Sequence, residues 1–147
     1  AVTFDLGSLI SEFQRGVETQ LSGDAQGHYD LAMSYREMGL LEQAVESFRI
    51  AARDPALGLR AMEMIGRCYL DQGRFDEAIE EFDRALNDEA LDPEARLGLQ
   101  YEIGVAHQAA GRMSEALSAF ENIHAQDPGF PDVESKIRAT RKSLESA

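Results

Sequence analysis

A pattern of glycine, alanine and phenylalanine returns three times along this chain, and it constrains the fold more than any other feature. Gly39, Ala44 and Phe48 are followed by Gly73, Ala78 and Phe82, then by Gly111, Ala116 and Phe120, so the copies are offset by 34 and then 38 residues. A unit of this length is one pair of antiparallel helices that cannot bury its apolar face alone. Stacked copies bury a continuous core and leave a curved surface for holding something. The expected fold class is therefore all-α, an alpha-alpha superhelix.

Composition fits one such module. A chain of 147 residues, 44% of them apolar, can build a single stacked core. Four prolines and no low-complexity stretch leave no linker at which to divide it, so one domain over 1–147 is expected. The apolar runs are a few residues long, far short of the roughly 20 that cross a bilayer, and no membrane insertion is expected. The chain opens at Ala1 with no basic segment before an apolar run, so the expectation is a piece of a longer protein without an export signal. Cys68, the single cysteine, cannot form an internal disulfide and fits a reducing, cytoplasmic setting.

Charge excludes another class. There are 27 acids against 14 Lys and Arg, a net charge of −13. Between Asp71 and Glu102 the count is 11 acids to 3 bases. Such a surface repels phosphate backbones, so nucleic acid is not an expected partner. The acids read either as a solvated outer helix face or as a surface for a basic partner.

Along the chain, Leu6, Leu9, Ile10, Phe13, Val17 and Leu21 predict an amphipathic N-terminal helix over 6–21, broken by Ser22, Gly23, Asp24 and Gly27. Helix pairs follow as units over 25–58, 59–92 and 93–130, each turning at its glycine. Asp54-Pro55 and Asp92-Pro93 both have the cap-then-proline form that starts a helix. The four extra residues of the longer offset are assigned to a loop over Asn87 to Asp92. On the helix from Phe75 to Leu86, the apolar stripe Phe75, Ala78, Ile79, Phe82, Ala85 and Leu86 leaves Asp76, Glu77, Glu80, Glu81 and Asp83 for solvent. A last helix over 132–146 has sparse apolar positions, Val133, Ile137 and Leu144, as a terminal cap requires.

These positions resemble the tetratricopeptide repeats from about Asp24 to the C-terminus. That family prefers a small residue, an aromatic, Gly, Ala, an aromatic and Ala, with Pro near the end. The first copy supplies Ala32, Tyr35, Gly39, Ala44, Phe48 and Ala51, and the second Gly66, Tyr69, Gly73, Ala78, Phe82 and Ala85. The third reads Gly104, His107, Gly111, Ala116, Phe120, Ile123 and Pro128, departing from the pattern at His107 and Ile123. The resemblance implies a solenoid of three helix pairs with an extra N-terminal helix and a C-terminal cap. It says little about the partner, because these positions pack helices together.

No catalytic constellation is visible. His28, His107 and His124 lack metal-ligand spacing, and there are no paired cysteines and no glycine-rich phosphate loop, so neither an enzyme nor a metal or cofactor is expected. Cys68 reads as a small buried residue, His107 as a replacement for a packing aromatic, and the carboxylates as solvent-facing groups.

Function is then expected on the concave surface, which the resemblance places on the first helix of each pair: Tyr29, Met33 and Arg36, then Arg60, Glu63, Arg67 and Leu70, then Tyr101, Val105 and Gln108. Tyr, Met and Arg are enriched at interfaces, although each of these residues could instead pack between units. Family members that grip a C-terminal carboxylate use Lys, Asn and Arg where this chain has Tyr29, Met33, Met64, Gly98 and Glu102, so that clamp is not expected. The stretch Phe13 to Phe48 is similar to modules of large bacterial adaptors in type IV pilus function, gliding motility and cell polarity. That similarity implies a protein partner such as a small Ras-like GTPase. Self-association through the N-terminal helix or the array edges, giving a homodimer, is the alternative expectation.

Overall fold

The computed structural model describes residues 5–21 and 23–146, with the backbone alone at 18, 19 and 21. Ser22, expected to help break the first helix, and the Leu21 side chain of its apolar stripe lie outside the described residues. Within them the chain forms α1 (Leu6–Leu21), α2 (Ala25–Glu37), α3 (Leu41–Ala51), α4 (Gly58–Asp71), α5 (Phe75–Leu86), α6 (Pro93–Ala109), α7 (Met113–Gln126) and α8 (Val133–Glu145). From α2 to α8 each helix packs on the next in sequence. This is the stacked all-α solenoid expected from the repeat.

The glycine turns explain the pairing. Gly39, Gly73 and Gly111 have φ of 77°, 74° and 80°, a left-handed conformation that is costly for any residue with a Cβ. The residue after each glycine donates its N–H back to the last turn of the preceding helix. Leu40 reaches Tyr35 O at 2.9 Å, Arg74 reaches Tyr69 O at 2.8 Å, and Arg112 reaches His107 O at 2.9 Å. The same closing bond made three times satisfies the helix-end carbonyls and folds α3, α5 and α7 back on α2, α4 and α6.

Packing inside each pair depends on the small residue of the motif. A Cβ added at Gly66 would lie 2.6 Å from Phe82 Cζ, and one at Gly104 would lie 2.6 Å from Phe120 Cε1. Phe48, Phe82 and Phe120 are fully buried, as are Ala32, Ala44, Ala78 and Ala116. Ile123, where the pattern prefers Ala, is buried beside Val133 and Ile137 of α8, so the larger side chain fills the seam with the cap.

Four local expectations need correction. Asp92 caps α6, its Oδ1 accepting the Ala95 N–H at 2.7 Å with Pro93 in the first turn, but Asp54 does not cap α4. Its Oδ1 accepts the Ala56 N–H in a turn, and α4 starts only at Gly58, after Leu57 has buried its side chain. The longer offset does not enlarge a loop either. The connections 52–57 and 87–92 have equal length, and most of the extra residues lengthen the start of α6, whose Arg96 donates back to Leu86 O at 3.1 Å and Asp88 O at 3.3 Å.

Glu81, expected to face solvent, is only 3% exposed. Its Oε1 accepts from Arg49 at 2.7 Å and from Arg84 at 3.0 Å, which neutralises the carboxylate between α3 and α5. On α8, Leu144 is exposed, while Thr140 is buried with its hydroxyl bonded to Lys136 O and Ile137 O.

Two glycine substitutions separate packing from backbone entropy. Gly66→Ala drives a methyl group into the Phe82 ring and is expected to cost about 1–3 kcal/mol of stability. Gly98→Ala, inside α6 with nothing within 4 Å, is expected to raise stability by about 0.5–1 kcal/mol. Urea unfolding of both variants beside the parent chain checks the opposite signs.

Candidate interaction surface

On α4 the positions Arg60, Glu63, Arg67 and Leu70 follow helical spacing and form one stripe. The ends of that stripe touch different neighbours. The Arg60 guanidinium lies 5.1 Å from the centre of the Tyr29 ring on α2, and Arg67 Nη2 donates to Glu102 Oε1 on α6 at 2.9 Å. The first helices of successive pairs are therefore side by side, and polar bridges connect them. Arg36 Nε on α2 donates to Asp71 Oδ2 on α4 at 3.0 Å, and Lys136 Nζ on α8 donates to Gln108 Oε1 on α6 at 3.3 Å. Arg36 to Asp71 and Arg67 to Glu102 share one sequence separation, 35 residues.

Eight of the ten residues expected on this surface fall into three groups, with Arg60 and Glu63 apart from them. Arg36, Arg67 and Gln108 make the bridges between helices. Met33, Leu70 and Val105 are half-buried against the core, leaving part of each side chain at the surface. Tyr29 and Tyr101 serve mainly as packing residues. Tyr29 is 8% exposed, edge-on to Phe48 with ring centres 5.3 Å apart and Arg60 over its face, so it is not an open contact. Tyr101 packs between Phe120 at 5.8 Å and Phe130 at 5.6 Å, and burial pushes its phenol pKa up.

Glu63 is the anomaly on this surface. It is half-buried in the middle of the α4 stripe, and among the described residues no side chain hydrogen-bonds its carboxylate. Burial raises its pKa above the ordinary glutamate value, the nearby Glu102 charge adds to the effect, and Arg67 and Arg60 oppose it. The expectation that the carboxylates are solvent-facing groups is therefore corrected at Glu63. Asp71 and Glu102 are absent from the ten expected surface positions, Glu102 figuring only as a clamp position, and Lys136 is absent as well. Opposite charges recurring at a separation near the repeat length were the signal for the first two.

Cys68 and His107 have structural surroundings. Cys68 is fully buried and burial pushes its thiol up to about 11, which keeps it protonated and unreactive. His107 Nδ1 accepts from Arg112 Nε at 3.2 Å, and Arg112 Nη1 donates to Asp76 at 2.7 Å, so this histidine joins the third pair's turn to α5. Among the described residues there is no group of three or more His, Cys, Asp or Glu that could hold a metal ion, and no helix long and apolar enough to cross a membrane.

The family model for the Tetratricopeptide repeat matches residues 29–96. Human Intraflagellar transport protein 88 homolog is 25% identical over 106 residues, which cover 69% of this chain and 13% of that protein. This chain thus spans about an eighth of that curated relative. Among solved structures, MamA superposes with a TM-score of 0.69 at 19% identity, covering 98% of this chain and 87% of that one. The first tetratricopeptide domain of Spaghetti (RPAP3), bound in its structure to the HSP90 peptide SRMEEVD, gives 0.66 at 16% identity, covering 84% of this chain and 95% of that one.

Two titrations test these environments. The Glu63 carboxyl is harder to ionise folded than unfolded, so its charge costs stability above its folded pKa and nothing below the ordinary value of 4.5. Glu63→Gln is expected to be more stable than the parent chain near pH 7 and equal to it near pH 4, read from urea midpoints at the two pH values. For His107, burial first and the Arg112 cation second hold the pKa below 6.5, while Glu115, Asp83 and Asp76 pull the other way. Its contribution is complete above pH 6.5 and is lost as pH falls through that value to the folded pKa. His107→Gln is expected to reduce the loss of stability between about pH 7.5 and about pH 5.5, measured by thermal unfolding.

Proposed function

Because this chain is a tetratricopeptide-repeat protein, we propose that it is a non-enzymatic interaction module that holds a partner's peptide segment along the face shared by α2, α4 and α6. One observation carries the reading. Arg36 and Arg67 are held in place by Asp71 and Glu102 on successive helices, beside the half-buried Met33, Leu70 and Val105. Side chains ordered before binding reduce the entropy lost on association, and mixed apolar and charged groups are what peptide-holding surfaces use. The RPAP3 domain in complex with an acidic HSP90 peptide supports a peptide as the ligand class.

This chain would take a different peptide. Of the positions that would form a carboxylate clamp, Tyr29 and Met64 are buried, Gly98 has no side chain, and Glu102 repels a carboxylate. The setting we propose is a larger adaptor in the cytoplasm. The similarity of Phe13–Phe48 to bacterial motility, type IV pilus and polarity adaptors supports that setting, with a small Ras-like GTPase as one partner. A second reading, self-association, is favoured by α1, where Leu6, Leu9 and Phe13 are 57%, 49% and 54% exposed although Phe13 also meets Tyr35 with ring centres 6.4 Å apart.

A random peptide library displayed on phage separates the two readings. Groove ligands are expected to bind the parent chain and a Glu80→Gln, Asp83→Asn control but to be lost from a Met33→Ala, Arg36→Ala, Arg67→Ala variant. Equal retention by all three proteins would reject the groove. For the second reading, light scattering is expected to give a dimer that Leu6→Ser with Leu9→Ser returns to the 16.2 kDa monomer, whereas a monomeric parent chain would end it.

A further inference from the structure

We infer that the groove recognises a basic side chain of its partner, a lysine or arginine flanked by apolar residues, and that Glu63 is the carboxylate that pairs with it. The inference rests on the groove reading above and names the partner chemistry that the reading leaves open.

The arginines of this face already have partners. Arg36 is bonded to Asp71, Arg67 to Glu102, and Arg60 covers the Tyr29 ring. The corresponding acids Asp71 and Glu102 are occupied by the same pairs. Glu63 sits between Arg60 and Arg67 on one helix face, yet neither guanidinium donates to it, since both are turned to the neighbouring helices. Among the described residues of this face, Glu63 is the half-buried carboxylate that no side chain hydrogen-bonds, on the same α4 stripe as the half-buried Leu70.

A partner cation placed there would form a charge-assisted bond in partly desolvated surroundings, where such bonds are stronger than in water. An acidic segment would instead meet Glu63, Glu102 and Asp71, with two of the three guanidinium groups already paired to carboxylates and Arg60 stacked on Tyr29. Long-range electrostatics act in the same direction, because a chain of net charge −13 attracts basic ligands and repels acidic ones.

The peptide library tests this by composition and by exchange. Peptides that need Met33, Arg36 and Arg67 are expected to carry a Lys or Arg between apolar residues. A synthetic peptide made from that consensus is expected to bind Glu63→Gln about tenfold more weakly or worse. Replacing its basic residue by Gln should cost a similar factor on the parent chain and little more on Glu63→Gln, the signature of a direct pair. Urea unfolding of Glu63→Gln, expected to show undiminished stability near pH 7, establishes that a weakened interaction is not a folding defect. Groove ligands that are acidic or lack a cation, or equal binding by Glu63→Gln, would overturn the inference while leaving the groove reading intact. A library with no groove-dependent ligand would overturn both.

Discussion

The stack depends on the seating of one phenylalanine per helix pair against the first helix of the same pair. Phe82 and Phe120 lie where the Cβ of residue 66 or 104 would otherwise be, and Phe48 is buried in the same core as Ala32. A glycine inside a helix costs about 1 kcal/mol, whereas burying a phenylalanine side chain contributes about 1.5–3 kcal/mol. The exchange favours the close approach, and it also brings the paired helices near enough for the alanines at 44, 78 and 116 to be fully buried. The core then continues along the array, with Tyr69 packed against both the first-pair and second-pair clusters.

Polar pins supplement that packing and set its register. Glu81 is a carboxylate almost removed from water, and it is held there by Arg49 and Arg84, which both donate to it, while Arg49 also reaches Tyr69 at 3.1 Å. Such a node contributes less to stability than an apolar replacement could, but it opposes any sliding of α3 along α5, which would leave a buried charge unpaired. The bridges Arg36 to Asp71 and Arg67 to Glu102 are more exposed and are worth about 1 kcal/mol or less each. Their effect is geometric, since they hold the first helices of successive pairs in fixed relation and orient the guanidinium groups on the face shared by α2, α4 and α6.

Stability and the proposed recognition pull in opposite directions at Glu63. A half-buried carboxylate with no hydrogen-bonding partner is a cost to the folded chain, and residues that break a local packing rule concentrate where a protein meets something else. The acids of the α5 outer face differ in kind. Glu80 and Asp83 are exposed and hydrated and contribute to the field of the whole molecule, whereas Glu63 contributes one located charge.

Much of the fold was legible because helical periodicity and turn glycines are local signals. The offsets of the Gly, Ala and Phe pattern determined three helix pairs and their turns, as Gly39, Gly73 and Gly111 with their positive φ attest. The candidate interaction surface was legible as a helix face but not as an arrangement of partners. Tyr29 and Glu81 show why, since helical spacing assigns a residue to a face but leaves open what covers that face. Packing between separate helices buried Tyr29 under Arg60 and enclosed Glu81 between two arginines. Likewise, identical Asp-Pro signals had different outcomes at Asp54 and Asp92, because the burial of Leu57 delays α4 while Arg96 anchors an early start of α6. The sequence by itself determined the repeat and its turns, which depend on residues close together in the chain. Only the tertiary structure decided which charges were paired and which carboxylate was left open, because those outcomes depend on side chains about 35 residues apart meeting across the stack.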